Sequence, residues 1–236
     1  MDLKIIEYNG EKICQISLFG SNRSEEVIKY QKRIFEKFNR PNNYFLCPMP
    51  QVSYGGCLDD ITRKLYEQVD YIYYYDIDSF PTRRDYFEVI YNKICDYETL
   101  VGCAFRNAHK FKPLDWRGDF ISAGPPIFLS MKLYRKLQMP SLDHHGEMAD
   151  TFENLSFEVK KRGYNLSIYY PKSVQGLTPE DLDTVNVPNF TASLEPDINN
   201  FGYGCDYGLF YHQFFANAKH HVRDFIKKAK EVLGET

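Results

Sequence analysis

Asp76 and Asp78 are the residues whose type and spacing point most directly to chemistry. They stand in Asp76-Ile77-Asp78, straight after the apolar run Tyr71-Ile72-Tyr73-Tyr74-Tyr75. Side chains alternate along a strand, so the two carboxylates share one side if the strand continues through them. Two carboxylates gathered in a half-buried cleft repel each other, and a cation between them removes that repulsion. A hard divalent ion suits oxygen ligands, and Mg2+ commonly binds a few carboxylates together with phosphate oxygens. Such an ion acts as a Lewis acid on a phosphate-bearing leaving group. The same tripeptide also ends ordinary strands in turns, so its meaning depends on the elements that present it.

Those elements alternate along the chain. Lys12 to Phe19 reads as a strand, broken by Gly20-Ser21-Asn22. Asn22 with Glu25 three residues later forms a capping-box pattern. Val27, Tyr30, Ile34 and Phe38 then keep helical spacing. Tyr44 to Cys47 is a short strand stopped by Pro48 and Pro50. Gly55-Gly56 opens a helix through Leu58, Ile61, Leu65 and Val69, and Asp70 to Tyr75 is the strand that delivers the aspartates. A helix through Phe87, Ile90 and Ile94 and a strand from Leu100 to Phe105 follow. Asp119 to Leu129 reads as an extended segment interrupted by Gly124-Pro125-Pro126, before a helix from Lys132 to Leu137. Met148, Phe152, Leu155 and Val159 mark a further helix ended by Gly163, and Asn165 to Tyr170 a late strand. Residues 176 to 206 show little periodicity and several Pro and Gly, the composition of a long functional or mobile loop. A last helix runs from Ala216 to Leu233. This alternation predicts an α/β protein, a mostly parallel mixed sheet flanked by helices. Ligands in such sheets collect at the carboxyl ends of the strands, where Asp76 lies.

The 236 residues suit one large domain better than two small ones. A net charge of −3 argues mildly against a nucleic-acid partner, which usually demands a basic surplus. Nineteen tyrosines against one tryptophan suit either a cleft for a polar ligand or a tyrosine-filled core, and the core reading carries more weight. The six cysteines make no Cys-x-x-Cys pair and mostly sit in apolar runs, as small buried hydrophobes do in a reducing compartment. No signal-peptide pattern opens the chain and no apolar run is long enough for a membrane span. The expectation is a cytoplasmic protein. The terminal helix carries Lys219, His220, His221, Arg223, Lys227, Lys228 and Lys230. This face could touch phosphates or, peripherally, an anionic membrane surface, although a solvated amphipathic face is the commoner use.

The order of these pieces resembles the GT-A glycosyltransferase superfamily, whose hallmark is an Asp-x-Asp metal site after a nucleotide-binding half-sheet. The resemblance covers about Lys12 to Lys219 and is to the fold and its motif order. It implies a GT-A (Rossmann-like) nucleotide-diphospho-sugar transferase fold over residues 1–236. The nucleotide-binding half would be about 1–105, the acceptor-binding half about 106–215, and the C-terminal helix about 216–233. Leu18, Phe19 and Gly20, with Ser21, sit where that family holds the nucleotide base. Asp119-Phe120-Ile121-Ser122-Ala123-Gly124 resembles the small-residue segment lining the sugar pocket, which makes Ser122 and Gly124 donor contacts. The same sequence also suits a simple strand and turn. Asp76 would serve both metal and donor, with Asp78 as the second carboxylate ligand.

The resemblance also implies an acidic pair opening a helix that ends in a Lys/Arg-rich turn and a Gly-aromatic step. Here Glu147 and Asp150 precede Lys160-Lys161-Arg162-Gly163-Tyr164, with the acids split by Met148 and Ala149. Three apart, they share a helical face, and either acid is a candidate general base for an acceptor hydroxyl. Acids also favour a first helical turn for electrostatic reasons alone. A late histidine followed by a lysine reaching the diphosphate resembles Tyr211-His212-Gln213 with Lys219, and His144 or His145 are the other candidates. Imidazole suits Mn2+ better than Mg2+.

The expected function is transfer of a sugar, with inversion, from a nucleotide diphosphate sugar to a hydroxyl on a glycan, lipid or protein. UDP is the default nucleotide for the fold, and Mn2+ or Mg2+ the cofactor. One competing reading is a nucleotidyltransferase that makes sugar nucleotides. It usually carries a Gly-rich basic loop after the first strand, where Leu18-Phe19-Gly20-Ser21-Asn22-Arg23 has one glycine. The other is a non-catalytic sugar-nucleotide-binding module, which would be expected to lack the aspartates.

Overall fold

The protein is described from a computed structural model covering residues 3–21, 23–48, 51–106, 121–143, 151–175, 204–213 and 219–235. Its centre is a seven-stranded sheet in the order β1-β2-β4-β7-β6-β8, with β3 also on the outer edge of β2. These strands are β1 (Ile6–Tyr8), β2 (Glu11–Gly20), β3 (Asn43–Cys47), β4 (Tyr71–Asp76), β6 (Thr99–Arg106), β7 (Ile121–Ser130) and β8 (Asn165–Tyr169). β3 and β4 run parallel to β2, and β8 runs parallel to β6. β7 is antiparallel to both β4 and β6, and β1 is antiparallel to β2. Thus β3, β2, β4, β6 and β8 point one way and the sheet is mostly parallel, as expected.

β2 and β4 are covered on both faces; β4 accordingly lacks polar alternation, whereas β2 interleaves Cys14, Ile16 and Leu18 with the buried Gln15 and Ser17. Along β4, Tyr71, Tyr73 and Tyr75 enter one core and Ile72 and Tyr74 the other. The first face packs against α1 (Glu25–Lys37), α3 (Tyr86–Ile94) and α6 (Lys219–Leu233). The second packs against α2 (Tyr54–Leu65), α4 (Met131–Lys136) and α5 (Glu153–Lys161). A small antiparallel sheet, β5-β11-β10-β9, sits on the first face. It is built from β5 (Ser79–Pro81), β9 (Ser173–Val174), β10 (Gly204–Asp206) and β11 (Phe210–Gln213). Phe210 ties it to the main sheet, with its ring 5.1 Å from that of Phe128.

Several elements differ from the sequence reading. α1 starts after Ser24 as its N-cap, not from a box on Asn22, which lies outside the described residues. α2 stops at Leu65, short of Val69, and its start is capped by Ser53, whose Oγ accepts from the Gly56 amide at 3.0 Å. The prolines do not end β7. Pairing jumps from Gly102↔Ile127 to Cys103↔Gly124, so a bulge absorbs Pro125 and Pro126. A proline cannot donate a ladder hydrogen bond, so a bulge is where a strand tolerates it. α5 begins at Glu153, preceded by Phe152 at φ 69°, a left-handed residue that no continuous helix can contain. Residues 204–206, read as loop, form β10, and Phe210–Gln213, given no element, form β11. Asp119, Phe120, Met148, Ala216 and residues 176–203 lie outside the described residues.

Candidate metal centre

β4 ends on Asp76, and a tight turn through Ile77 and Asp78 leads into β5. The strand therefore does not continue, and alternation is not what brings the carboxylates together. The turn is held from outside. Gln31, fully buried on α1, donates from Nε2 to the carbonyls of Asp76 at 2.8 Å and Ser79 at 2.6 Å. Ser79 Oγ donates to the same Asp76 carbonyl at 2.9 Å. On the far side, β11 pairs with β5 so that His212 stands opposite Ser79, and the Gln213 amide donates to the Asp78 carbonyl at 2.8 Å.

This crossing brings the late histidine to the aspartates. His212 Nε2 lies 3.4 Å from Asp76 Oδ2 and 3.4 Å from Asp78 Oδ1. One ligand atom from each of the three residues lies within 4.8 Å of the other two. Asp78 and His212 are buried, and Asp76 keeps a quarter of its side-chain surface open to solvent. Asp76 is thus the open side of the cluster.

The His212 ring is oriented from its other nitrogen. Its Nδ1 lies 3.1 Å from the carbonyl oxygen of Pro125. A carbonyl only accepts, so Nδ1 carries a proton, and Nε2 is the ring nitrogen turned toward the carboxylates. The β7 bulge is what presents that carbonyl. A metal-binding histidine is oriented in the same way, through a second hydrogen bond that fixes the ring.

Two further described side chains reach the cluster. Tyr54, the first residue of α2, donates its hydroxyl to Asp76 Oδ1. Burial and then the adjacent Asp76 carboxylate push the Tyr54 phenol well above its ordinary range, so it remains a neutral donor. Arg23, at the exit of β2, pairs with Asp78 Oδ2 at 3.3 Å. Burial raises the Asp76 carboxyl above its usual range; His212 opposes this, Asp78 adds to it, and Tyr54 and Arg23 oppose it. Two carboxylates about 5 Å apart repel by roughly 3 kcal/mol at an effective dielectric of 20. Two carboxylate oxygens and an imidazole nitrogen at this spacing could hold a divalent cation.

The other expected site residues fall as follows. Leu18, Phe19 and Gly20 form the carboxyl end of β2, with Leu18 in register with Asp76. Leu18 packs into the second core and Phe19 against the first. Ser122 and Gly124 lie on β7 just before the Pro125 carbonyl that holds His212. Lys219 opens α6, and its side chain is outside the described part of the chain. Glu147, Asp150, His144 and His145 also lie outside the described residues. The last described residue before them, Asp143, accepts from Ser53 Oγ at 2.6 Å, beside Tyr54. Its backbone packs so closely that a Cβ on Gly55 would come within 2.3 Å of the Asp143 Cα. Sequence reading missed Arg23, Gln31, Tyr54 and the Pro125 carbonyl. Arg23 alone gave a signal, as a basic residue just past the first strand.

No family model matches the chain, and no curated protein matches it. Among solved structures, the A197 protein from STIV is similar at 12% identity and a TM-score of 0.44, covering 66% of this chain and 81% of that one. A 4-diphosphocytidyl-2C-methyl-D-erythritol synthase follows at 12% identity and TM-score 0.43, covering 74% of this chain and 98% of that one. The Drosophila β-1,4-galactosyltransferase 7 in complex with manganese, UDP-Gal and xylobiose has 11% identity and TM-score 0.37, covering 66% of this chain and 64% of that one. Likenesses this loose do not bear on chemistry.

Proposed function

We propose that the protein is a divalent-metal-dependent glycosyltransferase of the GT-A type, using a nucleotide diphosphate sugar, with UDP as the default nucleotide. The observation that carries this reading is the Asp76–Asp78–His212 cluster at the carboxyl end of a central strand, with His212 Nε2 turned into it. Asp76, Asp78 and His212 would hold Mn2+ or Mg2+. When bound, the ion neutralises charge on a diphosphate leaving group. The chain's own residues prepare for this. Gln31 fixes the backbone between the aspartates, Tyr54 orients the Asp76 carboxylate, and the Pro125 carbonyl holds the His212 ring. Leu18, Phe19 and Gly20 would lie by the nucleotide, Ser122 and Gly124 by the sugar, and Lys219 by the diphosphate. Residues 1–236 would form one catalytic domain, with donor-binding and acceptor-binding halves meeting near residue 105. Glu147 or Asp150 would deprotonate an acceptor hydroxyl in an inverting transfer, and a product of retained anomeric configuration would remove both from that role.

The deciding experiment is a thermal-shift screen of UDP-, GDP- and dTDP-sugars and of nucleoside triphosphates, with and without Mn2+. A ligand at about 100 times its dissociation constant stabilises by ~2.7 kcal/mol, a rise of roughly 5–10 °C for a chain this size. The expected result is a shift with one nucleotide sugar that needs Mn2+. A shift with triphosphates alone would move the reading to nucleotidyl transfer. A shift insensitive to EDTA would remove the metal.

A further inference from the structure

Cys47 closes β3 and Cys57 lies in α2, and their sulfurs approach to 2.6 Å. That is well inside ordinary non-bonded sulfur contact, though longer than the ~2.05 Å of a disulfide bond. Both are free thiols in the structure. Cys47 is fully enclosed, whereas Cys57 keeps 9% of its surface exposed. Each sits on a regular element in the second core, so the apposition is set by how α2 lies on the sheet. Between them the chain turns into α2, and Cys47 Sγ also contacts the carbonyls of Val52 at 3.6 Å and Ser53 at 3.7 Å. Ser53 caps α2, and Tyr54 follows it.

We propose that Cys47 and Cys57 are a disulfide-forming pair, an oxidative modification site that fastens the start of α2 to the end of β3. The inference goes beyond the transferase reading and stands without it. The oxidant is a small-molecule or protein disulfide. The Cys57 thiolate, on the more exposed side, attacks one sulfur of that disulfide. A mixed disulfide forms and one thiolate leaves, taking up the proton that Cys57 gave up. The Cys47 thiolate then attacks the Cys57 sulfur, breaks the mixed disulfide and expels the second thiolate, which takes the Cys47 proton. Two protein thiols are oxidised and one external disulfide is reduced to two thiols. The protein gains one bond across a short loop, which limits the unfolded chain and holds the turn carrying Ser53 and Tyr54.

The test uses the full chain, fully reduced and then exposed to excess oxidised glutathione. Remaining thiols are alkylated after denaturation and the cross-link is mapped by mass spectrometry. Two of the six thiols should become unreactive, with Cys47 joined to Cys57. The melting temperature should rise by about 5–10 °C over the reduced form. Amide exchange at Gly56 and Cys57 should slow on oxidation and recover on reduction. Six reactive thiols after oxidation, or a cross-link mapped to any other pair, would overturn the proposal. So would loss of two thiols in a Cys57→Ser variant. The wild-type mapping decides the matter even if that variant fails to fold.

Discussion

The two faces of the central sheet are built on different plans. The first is aromatic: Tyr73, Tyr75, Tyr86, Phe87, Phe128 and Phe210 meet largely edge to face, with neighbouring centroids about 5–6 Å apart. It also contains buried polar groups, since Gln15 Oε1 accepts from the Tyr86 hydroxyl at 2.8 Å while the Tyr73 hydroxyl finds no hydrogen-bond partner among the described residues. The second is mostly aliphatic, with Ile16, Leu18, Ile72, Ile127 and Leu129 under α2, α4 and α5. The candidate metal centre lies where the faces meet. Arg23 precedes α1 and Gln31 lies on it, both on the first side; His212 arrives on the small sheet of that side, and Tyr54 comes from α2 on the second. Neither face alone presents the cluster. The difference teaches that stiff aromatic packing sits under the strands that aim His212, while the aliphatic side supplies one oriented donor.

The seam should be the most sensitive place. Asp78→Asn keeps the shape but removes a buried ligand charge, and metal-dependent donor cleavage should fall about 1,000-fold, the equivalent of some 4 kcal/mol. Steady-state rates with Mn2+, beside a calorimetric titration of Mn2+ alone, measure this. Retained activity and affinity would separate function from the seam. The faces themselves come next. Phe210→Ala opens the aromatic side where the small sheet docks and should cost about 3–5 kcal/mol in urea unfolding, whereas Ile72→Val on the aliphatic side should cost about 1 kcal/mol. Equal losses would erase the contrast. The smallest effect has the opposite sign. Tyr73→Phe removes a buried hydroxyl without a partner and should stabilise by about 1 kcal/mol in the same assay. A loss instead would mean that this hydroxyl is satisfied.

Much of the fold was legible because β4 is an apolar run, β2 carries regularly spaced apolar residues and the helices keep their spacing. The aspartates were legible because both lie within one turn after such a run. The reason first given for their meeting was wrong in mechanism: strand alternation stops at Asp76, and Gln31 and β11 shape the turn instead. His212 was legible only through the resemblance, since a four-residue strand paired to a three-residue one leaves no periodicity to read. Tyr54, Arg23 and Gln31 carry common side chains whose meaning comes from where the chain crosses itself. The prolines of β7 were read as a break because they remove donors. Their acceptor remained, and one of those carbonyls sets the His212 ring.

β11 also has a consequence for the order of events during synthesis. Asp76 and Asp78 emerge from the ribosome early, together with the strands and helices that frame them. The imidazole that joins them belongs to a strand made near the end of the chain, and its partner β10 is made just before it. Until then the nascent protein carries the two acids without that imidazole, beside Arg23 and Tyr54. The three-residue cluster is therefore complete only as one of the last acts of folding, a built-in delay between making the scaffold and finishing its site.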